Sequence, residues 1–261
     1  MGAFMGLART VWSRRELLLM LASRTLRIRY QRSCLGFVWT LLGPIFLIGI
    51  YWIFLSLLKF QIDLASLITG ILAWHFLSMC MGDGLSAIVG NAPLVTKAAF
   101  PRILLPLSMV LANLVNFLLS FAVLGVFIAL TPTDAGPLYM MVPAALTHLA
   151  LCTGVAMFVA TSNVFFRDTE HVLGIVTLAW FFLSPVVYNA DLVLSGFSRG
   201  VHLLFFMNPM TGILCVYRHA LLGAALPDGW LVSLSLCLAW LVFAAGLAVF
   251  QSSERRFGDE L

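Results

Sequence analysis

Long apolar runs separated by short charged islands set the pattern of this chain. Residues 35–58 carry no charge over 24 positions, 103–130 none over 28, and 138–166 none over 29. Each run exceeds the roughly 20 residues that take an α-helix across about 30 Å of hydrocarbon. A further run over 64–90 holds one acid, Asp83. A carboxylate at a bilayer centre costs about 2.5 to 3.5 kcal/mol, so Asp83 is expected to face other protein or a membrane boundary. Two more spans are expected at 172–190, close to the lower length limit, and at 230–250. The pattern predicts an all-α integral membrane protein, a single transmembrane domain over 1–261 with six spans.

The stretches between the runs are of three kinds. Over 4–33, Leu7, Val11, Leu18, Leu21 and Ala22 recur at helical spacing among Arg9, Arg14, Arg15, Arg24, Arg27, Arg29 and Arg32. That is a basic amphipathic helix lying at a membrane interface, with Trp12 and Tyr30 as interfacial aromatics. The island 91–102 is too short and too polar to cross. Pro93 suits a first helical turn, Asn91 is a candidate cap, and Pro101 disfavours helix at Phe100, so about two turns of surface helix are expected. A plain solvated loop is the competing reading. A second island, 167–171, begins Arg167-Asp168. The region 191–229 is apolar only in pieces too short to span, broken at Arg199-Gly200, Asn208-Pro209 and Arg218-His219. Asn208 as N-cap with Pro209 at the first helical position starts one short helix, giving re-entrant or surface helices before the last span. Irregular backbone at that depth requires burial in protein or a water-lined cavity.

Within the spans, Asn113 and Asn116 stand three apart on one helical face and read as an interhelical hydrogen-bonding pair. His148 reads as a structural histidine.

Composition agrees with the pattern: 62% of residues are hydrophobic and only 10% charged, far from soluble usage. The net charge of +4 follows from topology. With both termini on the cytoplasmic side, 12 of the 15 cations fall there, and Lys59, Arg199 and Arg218 fall outside. This asymmetry satisfies the positive-inside rule and removes any need for nucleic acid as a partner.

Candidate chemistry is sparse. The chain has no G-x-x-x-x-G-K-[ST] phosphate loop, no HExxH, no GxSxG and no CxxC. Its cysteines, Cys34, Cys80, Cys152, Cys215 and Cys237, are spaced for packing, and no metal site is expected. Few charges lie within spans, which argues against ion-coupled transport. An enzyme acting on lipid-linked sugars would have to draw on an outer carboxylate pair such as Asp191 and Asp228. A transporter without its own energy site would borrow one through the cytoplasmic islands. Tyr51, Trp52, Trp74, Trp180, Phe181 and Tyr188 are either lipid-facing aromatics or a stacking surface for sugar rings.

Several stretches, in order, carry a resemblance: 29–39 (RYQRSCLGFVW), 70–74 (GILAW), 100–107 (FPRILLPL), 163–168 (NVFFRD), 184–188 (SPVVY) and 208–210 (NPM). Together they resemble the permease subunits of ABC-2 type polysaccharide exporters, the group that exports lipid-linked O-antigen, with teichoic acid and capsule exporters as relatives. Ala73 stands where that family often has proline. The resemblance implies a homodimer in the bacterial cytoplasmic (inner) membrane, with both termini cytoplasmic, joined to two nucleotide-binding ATPase subunits. ATP and Mg would be bound by those subunits, leaving no cofactor in this chain; the substrate would be a lipid-linked polysaccharide, handled among membrane lipids. It further implies that 91–102 is the coupling helix, with Asn91, Pro93, Leu94, Val95, Thr96, Lys97, Phe100 and Arg102 meeting the ATPase. Arg167 and Asp168 would form the cytoplasmic loop between spans four and five. Tyr51, Trp52, Trp74, Trp180, Phe181 and Tyr188 become candidate channel lining. Outer gate helices would fill 191–229, with Asp191, Asn208, Pro209 and Arg218. An ABC-2 exporter of drugs or other small hydrophobic compounds remains an alternative at this point.

Overall fold

A computed structural model describes residues 2–31, 36–57, 59, 63–96, 100–130 and 136–261. Helices α1 (Gly2–Ser13) and α2 (Arg15–Tyr30) precede a 3-10 turn and α3 (Trp39–Leu57). Next come α4 (Leu64–Val89), the single turn α5 (Ala92–Val95), α6 (Leu104–Leu130), α7 (Met141–Phe165) and α8 (Thr169–Leu183). The short helices α9 (Asp191–Gly196), α10 (Arg199–Phe206) and α11 (Pro209–Leu222) lead to α12 (Gly229–Ser253) and a last turn, α13 (Phe257–Glu260).

Among the described residues, four helices are long and apolar enough to cross a membrane: α4, α6, α7 with its leading 3-10 turn, and α12 with its continuation. Helices α10 and α11 would make a fifth span if taken together, but the chain bends by 91° between them. Helices α3 and α8 are apolar and shorter: at 1.5 Å per residue, their 19 and 15 residues rise roughly 28 and 22 Å. The protein is a multi-pass membrane protein whose regular structure is helical throughout, with no strand among the described residues.

Helices α4, α7 and α12 form the centre, with α6 and α11 packed beside them. Small residues let their backbones approach, as they do where lipid gives no hydrophobic drive to associate. A Cβ on Gly246 would lie 2.1 Å from the Gly154 carbonyl oxygen, and one on Gly154 would lie 2.4 Å from Phe243 Cα. Gly84 approaches Ala156 in the same way, with 3.1 Å between a built Cβ and the Ala156 carbonyl oxygen.

Helix α2 runs along α6, and its Arg29 enters the bundle. Arg29 pairs with Asp83 and donates to Asn113 Oδ1 at 2.7 Å, while Asn113 Nδ2 donates to Asp83 Oδ2 at 2.7 Å. Asp83 thus faces protein, as its cost in lipid requires. Asn113 joins helices as expected, whereas Asn116 Oδ1 is buried without a partner among the described residues. His148 is fully buried with Nδ1 3.4 Å from the Tyr217 hydroxyl. Cys80, Cys152 and Cys215 are buried and Cys237 is exposed; Cys34 lies outside the described residues.

Three elements differ in extent from the sequence expectation. The single helix over 4–33 is two helices, parted at Arg14, whose φ of −119° and ψ of 24° leave helical geometry. Among the described residues the surface helix is one turn where two were expected over 91–102, of which 97–99 lie outside the described residues. Its expected cap does not form either: Asn91 turns back, and its Nδ2 donates to the Ala87 carbonyl at the end of α4 at 3.0 Å. An orphan carbonyl of the preceding helix has taken the side chain that would have capped the next. Finally, α8 stops at Leu183 although 172–190 is uncharged up to Ala190. Ser184 is extended (φ −101°, ψ 146°), as a residue before proline prefers, and Pro185 cannot continue the helix.

Candidate functional site

The bundle has two ends of different character. At one end lie α1, the first part of α2, the C-terminal end of α4, α5, the start of α6, the end of α7, the end of α12 and α13. Their apolar side chains, including Leu7, Leu21, Val95, Leu104, Phe250 and Phe257, share one buried cluster. At the other end lie the start of α4, the end of α8, and α9 to α11.

Between α3, α4 and α8 runs a cleft of about 480 Å³ lined by Tyr51, Trp74, His75, Thr177 and Phe181, among others, with Glu170 at one extremity. The rings of Tyr51 and Phe181 stack with centroids 5.6 Å apart. Trp74 meets Phe181 edge-on at 5.6 Å and Trp180 at 6.0 Å. The structure therefore brings four of the six aromatics singled out in the sequence into one group drawn from three helices. Tyr188 stands apart, stacked on Phe205 at 6.4 Å across a second hollow of about 440 Å³ between α8, α9 and α10. Trp180 lines that hollow too. Trp52 lines neither: it is 51% exposed on the outer face of α3.

Beyond the end of α8, the chain from 184 to 190 packs against helix α11. Asn208 is the N-cap of α11, accepting from Met210 N at 3.0 Å, with Pro209 in the first turn, so this local expectation holds. The same Asn208 Oδ1 accepts from Trp180 Nε1 at 2.8 Å, and its Nδ2 donates to Ser184 Oγ at 2.8 Å. One side chain thus caps α11, orients Trp180 in the second hollow and ties down the end of α8.

Arg218, on α11, is 4% exposed and has no carboxylate partner among the described residues. Its Nη1 donates to the carbonyls of Pro185 at 2.7 Å and Tyr188 at 2.9 Å, and its Nη2 to that of Val186 at 2.9 Å. Nε and Nη2 both reach Ser66 O at 3.3 Å. The non-helical segment 184–190 has carbonyls that lipid could not satisfy. A guanidinium with five fixed donors satisfies three of them and a carbonyl of α4 at once. Gly70 makes room for the crossing, since a Cβ there would sit 2.2 Å from Val186 O. Sequence reasoning counted Arg218 among the residues of the outer gate region without a stated role; the structure buries its guanidinium as a clamp on backbone carbonyls. No local signal pointed to this role, because its acceptors lie 30 to 152 residues away. Asp191, by contrast, is exposed at the start of α9.

At the opposite end, Pro93 and Thr96 of the α5 turn are exposed and Leu94 is half-buried, while Val95 is wholly buried. Arg102 Nε donates to Val95 O at 3.1 Å and its Nη1 to the Glu254 carbonyl, so one guanidinium joins the end of α5 to the end of α12. Phe100 is half-buried against the same cluster. Lys97 lies outside the described residues. Arg167 and Asp168 are exposed just before α8.

Residues 16–222 match the family described as ABC-2 type transporter. The chain belongs to the ABC-2 type transporter family. The match ends where α11 ends, and similarity to individual family members continues through α12. An O-antigen export system permease protein RfbA of Myxococcus xanthus is 31% identical, covering 98% of this chain and 99% of that protein. Two proteins of the same description from Klebsiella pneumoniae are 26% and 25% identical over 94% of this chain. As an ABC-2 type permease, the chain implies a nucleotide-binding partner.

Proposed function

We infer that the chain is the membrane permease of an ATP-driven exporter carrying a lipid-linked, O-antigen-like polysaccharide outward across the cytoplasmic membrane of a bacterium. The observation that carries this reading is end-to-end similarity to O-antigen export permeases, in a chain where Tyr51, Trp74 and Phe181 gather in one cleft. Aromatic faces pack against the C–H faces of sugar rings while hydroxyls stay hydrated, so a file of aromatics lets a glycan slide without fixed polar contacts.

In this reading six spans cross, α3 and α8 among them, and the end carrying α5 is cytoplasmic, as the basic side chains of α1, α2 and the islands favour. The exposed faces of α3 and α8 meet a second copy, so that Tyr51, Trp74, Trp180 and Phe181 line a path between protomers. Helices α9 to α11 form the outer gate, with Tyr188 and Asp191 at its rim. Two ATPase subunits bind ATP and Mg and act on the permease through α5, where Pro93, Leu94 and Thr96 are the accessible contacts. Val95 and Arg102 hold the turn against the bundle. Arg167 and Asp168 stand at the same surface. Segmental bends at 184–190 and at Asn208 are tolerated because Arg218 and Asn208 satisfy the backbone there.

Deletion of the chain is expected to abolish surface polysaccharide while leaving drug sensitivity unchanged, and affinity-tagged chain is expected to copurify from native membranes with an ATPase. Unchanged surface glycan together with no ATPase in the preparation would refute the reading.

A further inference from the structure

The α5 turn is a small handle for a large motor. A stable protein interface buries about 800 Å² on each partner, from some 20 to 30 residues. Among the described residues, the α5 turn and its cap offer Pro93 and Thr96 as exposed side chains and Ala92 and Leu94 in part, and the flanks add a few positions such as Val89 and Gly90, far short of that number. More surface must come from elements rigidly joined to the turn.

Residues 254–260 are so joined. Phe257 is wholly buried in the cluster that holds Val95, and its ring lies 5.3 Å from that of Phe250 and 6.1 Å from that of Phe165. Arg102 clasps the two segments by donating to Val95 O and Glu254 O. Gly258 lies beside the same guanidinium, with 3.4 Å between Arg102 Nη2 and a Cβ built there. Arg256 stacks over Phe165 at 5.1 Å, which extends the surface towards Arg167 and Asp168. Around the Phe257 anchor, Arg255, Arg256, Asp259 and Glu260 are exposed.

We propose that residues 254–260 and α5 form one composite docking surface for the nucleotide-binding subunit, held as a unit by Arg102 and Phe257. This rests on the function inferred above. The charge pattern selects the occupant: Asp259 and Glu260 would be repelled by an anionic phospholipid surface, whereas a protein surface meets both signs. The clasp also gives the motor a direct hold on α12, in addition to α4 and α6, which flank α5 in sequence.

The test is photo-crosslinking in native membranes of the whole complex, with p-benzoylphenylalanine replacing Asp259, Thr96 or, as a far-end control, Tyr139. All three side chains are exposed, so the fold is not at stake. Positions 259 and 96 are expected to link to the nucleotide-binding subunit and position 139 is not. Phe257→Ala is expected to lower the yield from 259 several-fold. A link from 96 with none from 259, or a link from 259 to phospholipid, overturns the composite surface and leaves the inferred function standing. Absence of links from both positions, with the ATPase still copurifying, overturns docking at α5 itself.

Discussion

Helices α4 and α7 on one hand, and α3 and α8 on the other, are all apolar, yet only the first pair packs glycines against a neighbour's backbone among the described residues. In the first pair Gly70 and Gly154 face another chain segment so closely that a Cβ would collide with its backbone, and Gly84 is nearly as tight against Ala156, while Gly82 faces open space. In the second pair Gly43, Gly49 and Gly174 face open space. The exposed side chains differ in the same sense. Ile45, Phe46, Ile50 and Ile53 of α3, and Val172, Ile175 and Leu178 of α8, stand outward, while α4 is mostly enclosed. Apolarity alone therefore does not distinguish a scaffold helix from one that presents a face to lipid or to a second copy. Close approach to a neighbour's backbone does.

The largest expected effect comes from filling the scaffold. Gly246→Val puts side-chain atoms where the Gly154 carbonyl stands and is expected to cost about 3 kcal/mol or more, since two packed backbones have to part. It should appear as loss of monodisperse protein in detergent. Gly49→Ala should instead hold or slightly raise the Tm, because alanine favours a helix by about 1 kcal/mol and meets nothing. Equal losses from the two variants would break the comparison.

Next in size is the clamp. Arg218→Met strips donors from the carbonyls of Pro185, Val186, Tyr188 and Ser66. With a buried unsatisfied acceptor costing about 1 to 3 kcal/mol, the loss should reach about 3 kcal/mol even if water reaches some of them. Hydrogen exchange should rise over 184–190 more than over α7. Arg218→Lys should recover only part, because an ammonium lacks the planar fork. A variant with unchanged exchange in that segment would show that the segment is held by other means.

Asn208→Ala removes the α11 cap and the Trp180 bond together, an expected cost of about 1 to 2 kcal/mol, with a shift in tryptophan emission. Smallest of all, Tyr51→Leu removes the stacked pair with Phe181, worth about 0.5 to 1.5 kcal/mol, and should lower export more than it lowers Tm. A fall in Tm with export intact would return Tyr51 to a packing role.

Much of this architecture was legible along the chain. Helix α6 begins within one residue of the expected position, since Pro101 and the charge of Arg102 mark its start. Asn208-Pro209 announced α11 because cap and first turn are local chemistry. Asp83 announced a protein neighbour because lipid cannot hold it, although nothing local named Arg29. The missed features depend on partners distant in sequence. Asn91 had two possible acceptors or donors within reach and took the one on the preceding helix. The clamp by Arg218 joins residues of α4, α11 and the segment after α8, an arrangement no periodicity encodes. Among the aromatics, hydropathy could not separate Trp74 in the cleft from Trp52 on the outer face, because both lie in apolar runs and only the rotation of each helix distinguishes them.

The most direct measurement is reconstitution of the purified chain with its ATPase in vesicles loaded on one leaflet with the lipid-linked polysaccharide, followed by lectin access to the glycan on the opposite side. The account predicts glycan appearance that requires both subunits and ATP, and that falls when Trp74 is replaced by alanine. Glycan appearance, or a chemically altered product, from this chain alone without nucleotide would contradict it.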